Sequence, residues 1–250
     1  MTYTTSSEMG KILFLHGYTQ SGSLFSKKSA ALRKALQKLG FTASYPTAPI
    51  KLALPDSADP EERAQLEGQG IDDESCGWWV KDEEKQEYVG LDKTWAYLAE
   101  YIKEEGPFDG AVGFSQGAAL AGMLCSQITK IAPDHPPFKF AVLYSGFRSP
   151  LPQHKYIYNP LISTPTLHIL GSLDTVVSEQ RSKTLIDACE QDMRVVYTHP
   201  GGHFVPSSKI SLNTVTGWIV ATMKASDAKA TTGDEDGWES DFDNIGGGNL

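Results

Sequence analysis

Short apolar runs alternate along this chain with longer segments whose apolar positions fall three and four residues apart. Residues 11–15, Lys-Ile-Leu-Phe-Leu, form the first run, which reads as a strand buried on both faces. Segment 22–39 follows, with Leu24, Phe25, Ala31, Leu32, Ala35, Leu36 and Leu39 at helical spacing and Gly40 as its stop. The pattern then predicts a strand over 41–46, a helix over 86–105, a strand ending at Gly113 and a helix over 116–128. Strands over 138–145, 166–170 and 194–197 surround a helix over 179–189, and a proline-led helix over 206–223 closes the series. Such alternation predicts an α/β fold with a mostly parallel sheet and helices on both faces. Ligands bind such sheets beyond the carboxyl ends of the strands, so the loops leaving the strands are where chemistry is expected. Residues 50–77 break the alternation: they lack periodicity, carry Pro55 and Pro60, and read as a lid-like insertion.

Composition narrows the class. At 250 residues the chain is one domain of ordinary α/β-enzyme size, and 40% apolar against 21% charged residues is globular. No stretch is long and apolar enough to span a membrane, and no basic segment precedes the run ending at His16, so no secretory leader is expected. Cys76, Cys125 and Cys189 are odd in number and far apart, without metal or redox-pair spacing. They point to a reducing compartment, cytoplasmic or nuclear, and Cys125 reads as an inert thiol inside a helix. The net charge is −9, but from Ala225 onward seven acids stand against Lys229 alone, which concentrates the charge in a tail. The remaining body is near neutral and has no basic cluster, which argues against nucleic acid as a partner.

The candidate chemistry centres on Gly113-Phe114-Ser115-Gln116-Gly117, at a strand-to-helix junction. A serine between two glycines there matches a nucleophile elbow. The pentapeptide alone is a weak signal, so its context has to carry the reading. A serine hydroxyl needs a base, and the base needs an orienting carboxylate. Asp174 follows the strand ending at Leu170 and is the expected acid; the bland alternative makes it a cap for the helix near Ser178. His203, in Pro200-Gly201-Gly202-His203-Phe204, is the expected base, with His199 as its rival. Acyl transfer also needs two N–H donors on the developing oxyanion. Gln116 supplies one, and Tyr18, in the loop His16-Gly17-Tyr18-Thr19-Gln20 after the first strand, is expected to supply the other. His16 reads as ordering that loop rather than titrating.

Longer blocks then carry a family resemblance. Cys76-Gly77-Trp78-Trp79, Gly106-Pro107-Phe108-Asp109-Gly110, Tyr144-Ser145-Gly146-Phe147 and His199 to Pro206, with the segment 113–120, resemble the FSH family of serine hydrolases within the α/β-hydrolase superfamily. That group includes fungal enzymes and the human ovarian-cancer-associated esterase. The resemblance covers about 11–222. It implies an α/β-hydrolase fold and cofactor-free hydrolysis of carboxylic esters or thioesters by Ser115, His203 and Asp174. Acyl-carrier thioesters are one substrate class it implies, beside small-molecule esters. A peptidase or phospholipase on the same triad, or a non-catalytic binding module of the same fold, are the alternatives.

Trp78 and Trp79 read either as anchors of the insertion or, with Tyr18, Phe147 and Phe204, as walls of an apolar acyl site. No arginine or lysine occupies a motif position where it would clamp a charged group, which favours a neutral aliphatic acyl chain. The hydrolase domain is expected over 1–224, and 225–250 is expected to be a disordered acidic tail. The tail sets Trp238 and Phe242 among acids, which reads as a solubilising segment or as a short peptide that docks on a protein partner.

Overall fold

The computed structural model describes residues 9–52, 61 and 74–232. In chain order the elements are β1 (Gly10–Leu15), α1 (Gly22–Lys28), α2 (Ala30–Lys38), β2 (Phe41–Ser44), β3 (Ile50–Lys51), β4 (Cys76–Gly77), β5 (Val80–Asp82) and β6 (Glu87–Val89). Then come α3 (Leu91–Glu105), β7 (Gly110–Phe114), α4 (Gln116–Ile131), β8 (Phe140–Tyr144), β9 (Thr166–Gly171), α5 (Glu179–Ile186), β10 (Arg194–His199) and α6 (Lys209–Thr232). Six strands form one sheet in the order β10-β9-β8-β7-β1-β2, and every neighbouring pair is parallel.

The unbroken apolar runs follow from burial on both faces. Ile12, Phe14, Phe140 and Val142 point to one side, where they meet Phe25, Leu32 and Leu36 of α1 and α2 and Val215, Ile219 and Met223 of α6. Leu13, Leu15, Ala141 and Leu143 point to the other, against Leu98 and Ile102 of α3, Leu120 and Met123 of α4 and Leu185 of α5. Each fully buried side chain of this kind contributes roughly 1.5–3 kcal/mol relative to exposure. From β1 the chain steps outward to β2, then crosses back to β7 and proceeds outward the other way. The order therefore switches between β1 and β7, and a crevice opens beyond their carboxyl ends.

Three expectations change. Segment 22–39 is two helices, because the Ser29 hydroxyl donates to the Phe25 carbonyl and draws the backbone out of helical geometry (φ −98°, ψ 15°). The predicted helix over 86–105 begins only at Leu91. Residues 87–89 instead form β6, paired antiparallel with β5 in a hairpin turned by Asp82 Oδ1 accepting from the Glu84 and Lys85 N–H groups, and Gly90 at φ +85° leads from β6 into the helix. The closing helix runs past Met223 to Thr232, into the segment expected to be a disordered tail. Alanines at 225 and 228 favour helix there, and Lys139 pairs with both Asp109 and Asp227, at 3.1 and 3.2 Å. Residues 53–60, 62–73 and 233–250 lie outside the described residues, and with them most of the lid-like insertion and the Trp238 and Phe242 motif.

Candidate active site

At the junction of β7 and α4 the two elbow glycines have different reasons to lack side chains. A Cβ on Gly113 would lie 2.3 Å from the Gly117 carbonyl oxygen, so the turn cannot close around one. A Cβ on Gly117 would lie 2.1 Å from the Leu15 carbonyl oxygen, so the start of α4 is pressed against the end of β1. Between them Ser115 sits at φ +53° and ψ −116°, a conformation that non-glycine residues rarely hold without surrounding support. Its N–H donates to the Tyr144 carbonyl at 2.8 Å, and its own carbonyl accepts from Ala118 and Ala119. Gln116 is the first residue of α4, so its N–H has no acceptor within the helix and lies at the positive end of the helix dipole.

Asp174 and His203 come together across two crossing loops. Gly171 has no room for a Cβ because the carbonyl oxygens of Gly201 and Gly202 would lie 2.6 and 2.5 Å from it, and Leu173 N–H donates to the Gly201 carbonyl. Thus the glycine-rich loop after β10 lies directly on the acid's loop after β9. Asp174 Oδ2 accepts from His203 Nδ1 at 2.7 Å and from Ser145 Oγ at 2.7 Å, while Oδ1 accepts from the Val176 and Val177 N–H groups at 2.9 and 2.8 Å. Burial alone would raise this carboxyl's pKa, but the bonds from Val177, His203, Ser145 and Val176 outweigh it and hold it below the usual carboxylate range. An ionised carboxylate can only accept, so His203 Nδ1 carries the proton in this bond. The imidazole packs tilted against the ring of Phe114, the residue before Ser115, with centroids 4.7 Å apart. The side chain of Asp174 is 2% exposed and that of His203 17%.

His199 does not join this pair. It is buried, set edge-on to the Phe204 ring, and its burial pushes its pKa down. Ser145 is a site residue the sequence reading did not single out. It is buried, holds φ +48°, and shares Asp174 Oδ2 with His203. The signal available was a serine where a strand ends at the crevice, in the block Tyr144-Ser145-Gly146-Phe147.

The loop after β1 forms the other wall. His16 is fully buried: the Ala48 N–H donates to its Nε2 at 2.9 Å, so Nδ1 must carry the proton that reaches the Gly17 carbonyl at 2.7 Å. Burial lowers its pKa to about 4. Its ring packs on Trp78, whose Nε1–H donates to the His16 carbonyl. The Gln116 side chain then clamps the next segment, accepting from Trp78 N–H and donating to the Trp79 carbonyl, both at 2.8 Å. Tyr18 is 39% exposed above these groups, and its ring occupies the space that a side chain on Gly77 would need. The sequence reading used Gln116 only for its N–H and missed this amide clamp.

These features coincide with a family-level match. The model of the serine hydrolase (FSH1) family matches residues 4–215. The chain belongs to that family. Family of serine hydrolases 3 of Saccharomyces cerevisiae is 38% identical over 224 residues, which cover 85% of this chain and 84% of that protein. Esterase OVCA2 of Danio rerio is 37% identical over 212 residues, 79% of this chain and 91% of its own length. Among solved structures, acyl-protein thioesterase 2 of Zea mays superposes with a TM-score of 0.55 at 21% identity, covering 86% of this chain and 94% of its own, a likeness of fold. The sheet and its helices are those of the α/β-hydrolase esterases.

Within this serine hydrolase fold the aromatic candidates separate. Trp78 has no exposed surface among the described residues, and its Nε1–H bond to the His16 carbonyl anchors its segment. Trp79 is nearly as buried, stacked on Tyr88 at 4.8 Å. Phe147 carries the Arg181 guanidinium on its face, 3.8 Å from the centroid, and Phe204 is half exposed against His199. A cleft of about 410 Å³ between the carboxyl ends of α3 and α4, around Ile102, Pro107 and His135, opens at the far end of the sheet from Ser115. Among the described residues no group of three His, Cys, Asp or Glu side chains could hold a metal ion, and no helix is long and apolar enough to cross a membrane.

Proposed function

We propose that this serine hydrolase cleaves carboxylic esters or thioesters of an apolar acyl group through an acyl-enzyme on Ser115. The observation that carries the reading is the Asp174–His203 hydrogen bond, with the imidazole packed against Phe114, the residue before Ser115. In the first half-reaction Ser115 Oγ attacks the acyl carbonyl while His203 Nε2 takes the hydroxyl proton. The oxyanion is stabilised by the N–H groups of Gln116 and Tyr18. His203 then gives its proton to the departing alcohol or thiol, leaving the acyl group esterified to Ser115. Water repeats the sequence: His203 takes its proton, hydroxide adds to the acyl carbon, and Ser115 leaves with the proton returned. Asp174 stays ionised and holds the imidazole in one tautomer. The esterase name of one relative and the thioesterase title of one structural neighbour support this class over amide cleavage.

The test is steady-state kinetics on an ester, a thioester and an amide sharing one acyl chain. The ester or thioester should be turned over well above the amide, and Ser115→Ala should remove all turnover. Faster amide cleavage, or turnover that survives in Ser115→Ala, contradicts the proposal.

A further inference from the structure

Only the main-chain N–H of Gln116 enters the steps above, yet its side chain is buried and bonded at both ends of its carboxamide. Trp78 N–H donates to Oε1 and Nε2 donates to the Trp79 carbonyl, both at 2.8 Å, so one planar group satisfies a donor and an acceptor of the same segment. That segment, 76–79, is fixed on its other sides as well. Cys76 N–H donates to the Gln20 carbonyl at 3.1 Å, and the Trp78 indole N–H donates to the His16 carbonyl at 2.8 Å. The Trp78 carbonyl accepts from the Thr94 hydroxyl of α3. The carboxamide ties this strap to the first residue of α4.

The strap joins the two elements that carry the oxyanion donors of the proposed reaction. One donor is the Gln116 N–H, directly after Ser115, whose φ of +53° persists only where neighbouring groups over-determine it. The other is the Tyr18 N–H, on the loop that takes the bonds from Trp78 and Cys76. The carbonyl of the Gly17–Tyr18 peptide accepts from His16 Nδ1 at 2.7 Å. A trans peptide sets its C=O and N–H in opposite directions, so the Tyr18 N–H points away from that imidazole. The Tyr18 ring lies against Gly77, where a Cβ would stand 2.8 Å from it, so loop and strap are in contact there too. Among neutral side chains only Asn and Gln offer a donor and an acceptor in one plane, and Asn is a methylene shorter. We infer that the Gln116 carboxamide is a positioning group that sets the spacing of the two oxyanion donors through the 76–79 strap. The inference rests on the reading of the Gln116 and Tyr18 N–H groups as those donors.

The test compares the native protein with Gln116→Met, which keeps the length of the side chain and loses both bonds, on the nitrophenyl ester of octanoic acid. Rates are taken per active serine, counted by fluorophosphonate labelling to completion, so that a partly folded variant is not read as a slow one. In Gln116→Met kcat should fall about 10–100-fold, as for a displaced oxyanion donor, while KM stays within about twofold. An octyl trifluoromethyl ketone gives the second readout. Ser115 Oγ adds to its carbonyl carbon, His203 takes the hydroxyl proton, and the former carbonyl oxygen becomes the oxyanion. Its inhibition constant should rise by about the factor lost from kcat/KM. Trp78→Phe keeps the ring and breaks the strap's bond to the His16 carbonyl, so kcat should fall there as well. The double variant should then lose less than the product of the two single losses. An unchanged kcat per active serine in Gln116→Met, a loss carried by KM alone, or single losses that multiply in the double variant overturns the role. If Gln116→Met leaves no serine that labels, Trp78→Phe decides: a kcat loss at constant KM supports the role and an unchanged kcat ends it. A native protein that neither hydrolyses the ester nor binds the ketone removes the hydrolase reading and this role with it, whereas native turnover beside an unchanged variant removes the role alone.

Discussion

His16 and His203 stand at the same end of the sheet, each in a loop that leaves a strand, and they are held in opposite ways. The Ala48 N–H donates to His16 Nε2 and the ring's remaining proton goes to the Gly17 carbonyl, so both nitrogens are occupied by backbone. His203 gives its Nδ1 proton to Asp174 and has no protein partner at Nε2 among the described residues. The first ring is buried and neutral; the second is partly exposed and oriented. A backbone amide on the distal nitrogen makes a histidine a structural brace, whereas a carboxylate on the proximal one makes it a base.

The sharpest break of that contrast is to remove each ring in turn. His203→Ala should lower kcat/KM by about 10⁴-fold or more while the melting temperature barely moves. Asp174→Asn should lower kcat by about 10³–10⁴-fold, because an amide can turn its NH₂ toward Nδ1 and favour the wrong tautomer. His16→Ala should instead lower stability by about 2–3 kcal/mol in denaturant titration, since it strands the buried Ala48 N–H and Gly17 carbonyl. If His16→Ala abolished turnover with stability intact, the division of roles would be wrong.

Acid should reach the brace through stability. Burial holds His16 and His168 to pKa values of about 4, against 6.5 in an unfolded chain. The unfolded chain therefore protonates first. The stabilisation from each neutral ring is complete above pH 6.5 and is lost as pH falls towards 4, on the order of 3 kcal/mol per ring. Denaturant midpoints measured across that interval should fall, and less steeply in His16→Gln than in the native chain.

The smallest expected effect separates orientation from folding. Ser145 holds a left-handed backbone and donates to Asp174. Ser145→Gly relieves that conformation, so stability should hold or rise, while kcat falls about tenfold with the loss of one charge-assisted bond and KM stays put. Equal losses in kcat and stability would reduce Ser145 to a packing residue.

The contrast also marks what the sequence could carry. The main-sheet strands, the elbow and the loops holding Asp174 and His203 were legible because continuous apolar runs and glycine-rich exits report directly on buried parallel strands and tight turns. His16 was legible as an ordering residue, though its partner at Ala48, 32 positions away, was not. The single helix expected over 22–39 hid the break at Ser29, because a serine's bond to its own preceding turn leaves no mark in periodicity. Gln116's clamp depends on segments distant in sequence meeting in space, through a main-chain amide at Trp78. Contacts of that kind leave no periodic trace. The helix to Thr232 was misread because the acids that follow it made the whole segment look solvated, whereas Lys139 pairs with Asp227, the one acid between 225 and 232.

The most direct measurement is fluorophosphonate labelling followed by peptide mapping of the native protein and of His203→Ala. The account predicts a single adduct on Ser115 in the native protein, formed orders of magnitude more slowly in the variant. An unlabelled Ser115 in folded native protein, or equal labelling rates in the two, would contradict it.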